Sequence, residues 1–260
     1  MWNIIKAQNY QIRGDNLVIL VLLAGLLLPT GTLLMDFDIS ELTGSFFMAQ
    51  LGSVLPICLG MVLVILVSRI CGWDAGDKTM NYEVLAGHSR AEVYFGRVIM
   101  SVIWGLGSGI AMLVLPVLGI TVINGWGNNM NLGAAAVRCV LFLFPMLRLI
   151  CEFAMLAFLL RDCYKAMLIG WSFFAVSMVG IMVYEGLADT ALTVQLVITN
   201  MREVIGFGNY KIEYIGGEDI LVYMTGMDAS LVLGTILVSL LAGGACLAVG
   251  YAVFKKQDMN

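Results

Sequence analysis

The sequence predicts an all-α integral membrane protein, and its composition and its long apolar segments are the reason. Hydrophobic residues make up 60% of the 260 residues and charged residues only 12%, whereas a soluble domain is typically about 25% charged. The mean hydropathy is +0.94. A helix needs about 20 apolar residues to cross a bilayer. Six segments of a single transmembrane domain, 1–260, meet this requirement: 17–35, 46–67, 98–123, 137–160, 166–184 and 231–254.

Residues 1–16 predict a helix that lies at the membrane interface before the first span. Charged residues within this segment and the length of the following apolar run argue against a cleaved signal peptide, so we expect the first span to be retained. A disordered tail is the alternative. The side of the helix that suits the interface carries Trp2, Ile5, Asn9 and Ile12.

The distribution of lysine and arginine predicts the orientation of the spans. An even number of spans places both termini on one side, and the positive-inside rule makes the basic side cytoplasmic. Only Arg202 and Lys211 fall on the other side. We therefore expect a multi-pass protein of the cell membrane with both termini in the cytoplasm. The basic side carries Lys6, Arg13, Arg69, Lys78, Arg90, Arg97, Arg161, Lys165, Lys255 and Lys256.

The outer segment 185–230 separates the fifth and sixth spans. Apolar residues recur at helical spacing over 187–205, which predicts a helix with one apolar side. This helix is long enough to be a seventh span, but a seventh span would place the basic C-terminus outside. We therefore predict an outer or re-entrant helix. The Gly-rich, polar residues 206–219 predict a loop.

The sequence carries few residues for catalysis or metal binding. His88 is the single histidine, and the six cysteines are scattered without a CxxC pair. Neither a zinc site nor a disulfide framework is expected. Motifs of serine hydrolases, zinc proteases and nucleotide-binding loops are absent from the sequence. The net charge of −4 also disfavours a nucleic-acid partner.

Two opposite charges lie deep in the fourth predicted span. Arg148 and Glu152 are spaced i,i+4, so both side chains lie on one helix face and can pair. Charges inside a membrane are costly and normally face a protein interior or a wet cavity. The pair is either a contact in a translocation path or a structural link within the bundle. Arg138, at the outer end of the same span, is expected to snorkel toward water.

The inner loop 71–97 contains a second helical pattern. Residues 79–86 predict a short helix that Gly87 ends. Ser89 and Glu92 have capping-box spacing and predict the start of a helix that leads into the third span. The loop would hold a short helix outside the membrane, where a partner can reach it. A merely solvated connector is the alternative.

This loop resembles the corresponding loop of type-2 ABC exporter permeases, as do the six-span layout and the interfacial first helix. The motif-level resemblance is confined to the loop and the start of the third span. Arg97 stands where the family usually has lysine. The matching residues, which follow an acidic residue and a glycine, are Lys78, Thr79, Glu83, Leu85, Gly87, Ser89, Arg90, Tyr94 and Arg97.

The resemblance implies a permease subunit that forms a homodimer, or a heterodimer with a second permease, and binds two separate ATPase subunits. ATP and Mg would be bound by the ATPase, so this chain would be no enzyme and would hold no cofactor. Such permeases export drugs or peptide antibiotics, or confer lantibiotic (bacteriocin) immunity. The alternatives are a membrane enzyme and a proton-coupled secondary transporter, both using Arg148 and Glu152. The ATPase-coupling residues implied are Asp77, Met80, Glu83, Val84 and Leu85.

Overall fold

The computed structural model describes residues 1–40, 42–76, 83–185, 195–206, 210–215, 218–223 and 227–256, with backbone alone at 74–76, 177–185, 210–215 and 218–223. Eight helices and two strands lie in these ranges. They are α1 (Trp2–Arg13), α2 (Asn16–Asp36), α3 (Gly44–Gly76), α4 (Arg90–Asn124), α5 (Leu132–Leu160), α6 (Cys163–Glu185), α7 (Val197–Ile205), β1 (Tyr210–Ile215), β2 (Glu218–Tyr223) and α8 (Ala229–Lys256).

Helices dominate the chain, and five of them are long and apolar enough to cross a membrane: α2, α3, α4, α5 and α8. The protein is therefore a multi-pass helical membrane protein, as the composition predicted. Helix α6 coincides with the predicted span 166–184. Its described side chains form a shorter apolar stretch, Cys163–Val176, and its backbone continues as a helix to Glu185.

Helix α3 lies at the centre of the bundle and contacts α2, α4, α5, α6 and α7. Its apolar window is 67% buried, against 22% for α2 and 17% for α8. A helix that is apolar on all sides is expected either inside a bundle or against lipid. Helix α3 lies inside the bundle, and α2 lies at its surface. The buried side of α3 includes a leucine at every fourth residue, Leu51, Leu55, Leu59 and Leu63.

One end of the bundle, here named the basic end, brings the start of the chain close to the end of α8. The amino group of Met1 pairs with Glu92 at 3.1 Å, and Arg90 Nη1 donates to the Lys255 carbonyl at 2.6 Å. Arg69, at the end of α3, donates through Nε to Asp15 Oδ2 at 2.9 Å. These contacts place residues from α1, α3, α4 and α8 at one end.

The turn between α5 and α6 lies at this same end. Asp162 Oδ1 accepts hydrogen bonds from the backbone N–H groups of Lys165 at 3.2 Å and Tyr164 at 2.9 Å. These two bonds, the first above all, hold the pKa of the Asp162 carboxyl below its usual value, because they stabilise its charged form. Arg161 ends α5 in the left-handed conformation, with φ 53°. The turn therefore needs only two residues.

Helix α1 forms as predicted, but a different side of it faces the protein. Its buried residues are Ile4, Gln8 and Ile12, whereas Trp2 is 65% exposed. The reason is the close approach of α4, because a Cβ at Gly96 would lie 3.2 Å from Ile4 Cγ2. The side of α1 that carries Ile4, Gln8 and Ile12 therefore faces the protein, and Trp2 points away from it.

Helical backbone continues into both ends of the predicted inner loop 71–97, because α3 extends to Gly76 and α4 begins at Arg90. The residues between them that the structure describes are 83–89. The start of α4 agrees with the capping box predicted at Ser89 and Glu92. The predicted span boundary at residue 98 therefore lies eight residues inside α4.

The prediction of a loop over 206–219 is wrong for most of that segment. Strands β1 and β2 form an antiparallel hairpin, with Tyr210 opposite Tyr223 and Ile215 opposite Glu218. Only residues 216 and 217, both glycine, connect the strands. Two-residue glycine turns favour hairpins, and the flanking tyrosine and isoleucine favour strands.

We predict that Gly105→Leu destabilises the bundle, because this glycine lies where α4 contacts both α5 and α3. A Cβ there would lie 2.6 Å from Ile150 Cδ1 and 3.2 Å from Leu63 Cδ2. Overpacking of this kind costs about 1–3 kcal/mol. The measurement is thermal unfolding of the purified protein in detergent. Gly119→Leu in the same helix is the control, since nothing lies within 4 Å of a Cβ there. Equal stability of the two variants would contradict this packing.

Candidate functional site

The inner loop is anchored to the membrane helices by a buried arginine. Arg97 of α4 has 0% exposure. Its Nη2 donates to Glu83 Oε1 at 2.9 Å, and its Nη1 donates to the Ile70 carbonyl of α3 at 3.3 Å. Removing one partner of a buried ion pair leaves an uncompensated charge. The pair therefore fixes the described end of the loop against both helices.

The chain then turns at Gly87 and enters α4 through its cap. Gly87 has φ +95° and its N–H donates to the Val84 carbonyl at 3.0 Å, so it ends the helical turn as predicted. The Ser89 hydroxyl accepts from the Glu92 N–H at 3.2 Å, and Glu92 Oε2 accepts from the Ser89 N–H at 3.1 Å. These bonds are local, and Glu92 also pairs with the Met1 amino group at 3.1 Å, which ties the cap to the start of the chain.

The predicted coupling residues occupy different positions in this loop. Glu83 is engaged by Arg97, Val84 is half-buried, and Leu85 is 79% exposed. Asp77 and Met80 lie outside the described residues. The sequence pattern suggested that Glu83 faces a partner, and the structure shows that it also holds the loop. Leu85 is therefore the described coupling residue that another protein can reach most easily.

A second polar site lies inside the bundle, on α5. Arg148 Nε donates to Glu152 Oε1 at 2.8 Å, so the i,i+4 pair forms within the helix. The two side chains are 14% and 15% exposed. Arg148 also donates through Nη2 to the carbonyl of Gln195 at 3.0 Å, just before α7 begins. The pair therefore links α5 to the outer segment of the chain.

Helix α7 is much shorter than the predicted helix over 187–205. It starts at Val197, and Leu196 before it has an extended backbone. Its nine residues span about 14 Å, which is too short to cross a bilayer. Residues 186–194 lie outside the described ranges. The prediction of one continuous helix is wrong, because the chain is extended at Leu196.

The direction of α7 follows from its two contacts with α5. Gln195 meets Arg148 near the middle of α5, and Val204 meets Arg138 near its first turns, where Arg138 Nη1 donates to the Val204 carbonyl at 3.2 Å. The two arginines are ten residues apart, or about 15 Å along the helix. Helix α7 therefore runs antiparallel to α5, from its middle toward the end opposite the basic end.

The prediction that Arg138 snorkels is wrong. Its exposure is 2%, because the end of α7 covers it and supplies a carbonyl acceptor. A cation at the C-terminus of a helix also interacts favourably with the helix dipole. A position near the end of an apolar span suggested access to water, but α7 occupies that space.

The middle of α7 is held by two polar residues that the sequence analysis overlooked. Thr235 of α8 donates through Oγ1 to Asn200 Oδ1 at 2.9 Å, and both residues have 0% exposure. A lone asparagine on the apolar side of a short helix, and a lone threonine in an apolar span, were the available signals. Buried polar side chains need partners, and each of these supplies one for the other.

A cavity of about 190 Å³ lies at the start of α7, beside the ion pair. Among the described residues, Arg148 Nη1 and Glu152 Oε2 are buried and have no hydrogen-bond partner. Arg148, Glu152 and Gln195 give the cavity a partly polar lining, although Nη1 and Oε2 themselves are buried away from it. A lining of this kind suits a polar group of an amphipathic molecule, or water. The remaining lining residues are Leu149, Phe173, Phe174, Leu196, Val197 and Ile198.

Comparison with known proteins identifies no relative. A scan against models of protein families gave no match, and a search of curated proteins gave none either. A function is therefore inferred from the two sites described above and from the resemblance of the inner loop to that of type-2 ABC exporter permeases.

We predict that Arg148→Leu and Glu152→Leu each lower the stability of the protein more than the double substitution does. Each single change leaves one charge without its partner, at a cost of about 3–5 kcal/mol for a buried pair. The double variant should recover most of this stability but not all, because Gln195 still loses its donor. Thermal unfolding and folded yield of the three variants measure this. Single variants as stable as the unmodified chain would show that the pair contributes little.

Proposed function

We propose that this chain is the membrane-spanning permease subunit of an ATP-driven ABC exporter. Its cargo would be a hydrophobic or amphipathic compound, such as a drug, a peptide antibiotic or a lipid-linked molecule. The observation that carries this proposal is the inner loop: an exposed Leu85 on a turn that Arg97 and Glu83 fix to two membrane helices. A permease needs such a rigid contact to transmit movement from a separate ATPase.

The anchoring of the loop supports a mechanical role over a solvated connector. A connector needs no buried ion pair, and burying two charges is costly unless they are well paired. Here the pair joins the loop to α4, and the bond from Arg97 to the Ile70 carbonyl joins it to α3. A force applied at Leu85 would therefore be transmitted to both helices.

In the proposed topology the protein lies in the plasma membrane and crosses it six times. Both termini are in the cytoplasm. In addition to the five long apolar helices, this topology takes α6 as the fifth span in chain order, and its 23 residues give about 35 Å of helix. The grouping of Met1, Arg69, Arg90 and Lys255 at one end agrees with the positive-inside rule. In this arrangement α7 is a half-membrane helix that returns to the outer side.

The cavity beside Arg148 and Glu152 would contact the cargo in this scheme. It is small and mostly apolar, and the polar side chains of Arg148, Glu152 and Gln195 in its lining would orient an amphipathic compound. The ATPase subunits would bind ATP and Mg, and a second permease, identical or different, would complete the translocation path. The poorly buried helices α2 and α8 leave ample apolar surface for lipid and for that second subunit.

A second candidate is a proton-coupled secondary transporter. The observation that favours it is the carboxylate of Glu152, which lies in the cavity with one oxygen unpartnered among the described residues. Carboxylates in such positions carry protons in other transporters. Transport into vesicles driven by a pH gradient without ATP would favour this candidate, and transport that requires ATP and a second subunit would favour the exporter.

We predict that Leu85→Asp separates the permease from its ATPase. An interface hot spot contributes about 2 kcal/mol or more, so the affinity should fall about 30-fold or more. The measurement is the amount of ABC ATPase that co-purifies with the tagged chain from its native membrane. Ile39→Asp is the control, since Ile39 is 51% exposed in a connection at the opposite end. Recovery of the unmodified chain without any ATPase, in detergent and in nanodiscs, would contradict the proposal.

We predict a defined pattern of labelling for single cysteines placed in a chain whose six native cysteines are replaced by serine. A membrane-impermeant maleimide should label Asn128→Cys in intact cells. It should label Ser89→Cys and Tyr164→Cys only after the membrane is opened, because these residues lie at the basic end. All three residues are exposed. Labelling of residues 89 or 164 from outside would reverse the proposed orientation.

A further inference from the structure

A groove lies under the first helix, and its polar and apolar parts are separated. It has a volume of about 460 Å³ and runs between α1, α2 and α4. Arg13 and Asn9 of α1 line one part, and Leu22, Leu26 and Ile103 line the other. Helices α2 and α4 contact each other sparsely, so α1 bridges a gap that the apolar residues border.

The polar part of the groove carries a positive charge that no described residue compensates. Arg13 is exposed and makes no hydrogen bond or ion pair with the described residues. The nearest acidic residue along the chain, Asp15, is engaged by Arg69. Asn9 accepts from Trp104 Nε1 at 3.2 Å through its oxygen, which leaves its amide N–H₂ as a donor. Two donors, one of them cationic, therefore lie at the mouth of the groove.

The apolar part of the groove reaches a position on α2 that corresponds to the depth of one membrane leaflet. Leu26 lies ten residues into α2, about 15 Å from its start, and the hydrocarbon core of one leaflet is also about 15 Å thick. Gly107 of α4 lines this part, and nothing lies within 4 Å of a Cβ built on it. The groove is thus open along its length and apolar below its mouth.

We propose that the groove binds one anionic glycerophospholipid from the leaflet at the basic end. The phosphate would interact with Arg13 and with the amide of Asn9, and one acyl chain would lie between α2 and α4 beside Leu22, Leu26 and Gly107. Charge complementarity selects an anionic headgroup, because the mouth offers donors and no free carboxylate among the described residues. This proposal does not depend on the function proposed above, since a transporter, an enzyme or a channel could use such a lipid.

Native mass spectrometry of the full-length chain tests the proposal. The protein in detergent is mixed with phosphatidylglycerol and phosphatidylcholine of matched acyl chains. The detergent is then removed in the gas phase, and the lipids that stay bound to the protein are counted. We expect one phosphatidylglycerol to be retained in preference to phosphatidylcholine. Arg13→Gln should reduce that preference about fivefold, the change expected for one basic residue at a membrane surface. Arg13→Lys should retain most of it, and circular dichroism confirms that each variant is folded.

Two matched controls separate the groove from general surface effects. Lys6→Gln removes a positive charge from the same helix outside the groove and should leave the preference unchanged. Gly107→Leu fills the groove and should reduce retention of both lipids, whereas Gly119→Leu, an equally open position of α4, should not. Equal effects of Arg13→Gln and Lys6→Gln, or no preference in the unmodified chain, would overturn the proposal. So would unchanged retention in Gly107→Leu.

Discussion

Two arginines of α5, the buried Arg138 and the half-buried Arg148, hold the short helix α7 against the bundle. The hydrocarbon region offers no water to satisfy polar groups, so a helix that stops within it must find partners for its ends inside the protein. Arg148 donates to the carbonyl of Gln195 before α7, and Arg138 donates to that of Val204 near its end. The cavity beside Glu152 exists because α7 begins there.

Helix α3 connects this interior to the inner loop. It contacts α7 on one side, and the carbonyl of Ile70 near its end accepts a hydrogen bond from Arg97. The same arginine pairs with Glu83, so the described end of the loop is bonded to α4, and through Arg97 to α3, at the basic end. A movement of the loop would reach α7 through packed helices. This connection is what relates the exposed Leu85 to the polar cavity in the proposed exporter.

The helices at the periphery of the bundle, unlike α3, expose most of their apolar surface. Helices α2 and α8 bury about a fifth of their apolar windows, so most of their leucines face lipid or another subunit. Helix α1 covers the gap between α2 and α4 at one end, with Ile4 against Gly96 and Asn9 against Trp104. The groove below it is a consequence of that bridging, and the charge of Arg13 decides which lipid suits it.

The sequence by itself determined the membrane class, the five helices long and apolar enough to cross a membrane, the cap at Ser89 and the face shared by Arg148 and Glu152. These features depend on composition and on residues within four positions of each other, where helix geometry fixes what is close. Only the tertiary structure decided the burial of Arg138, the pairing of Glu83 with Arg97, the contact between Asn200 and Thr235, and the short α7. Each of these joins separate elements, with 14 to 66 residues between the partners. Periodicity within one helix carries no information about which distant helix covers it, so packing alone settled these contacts.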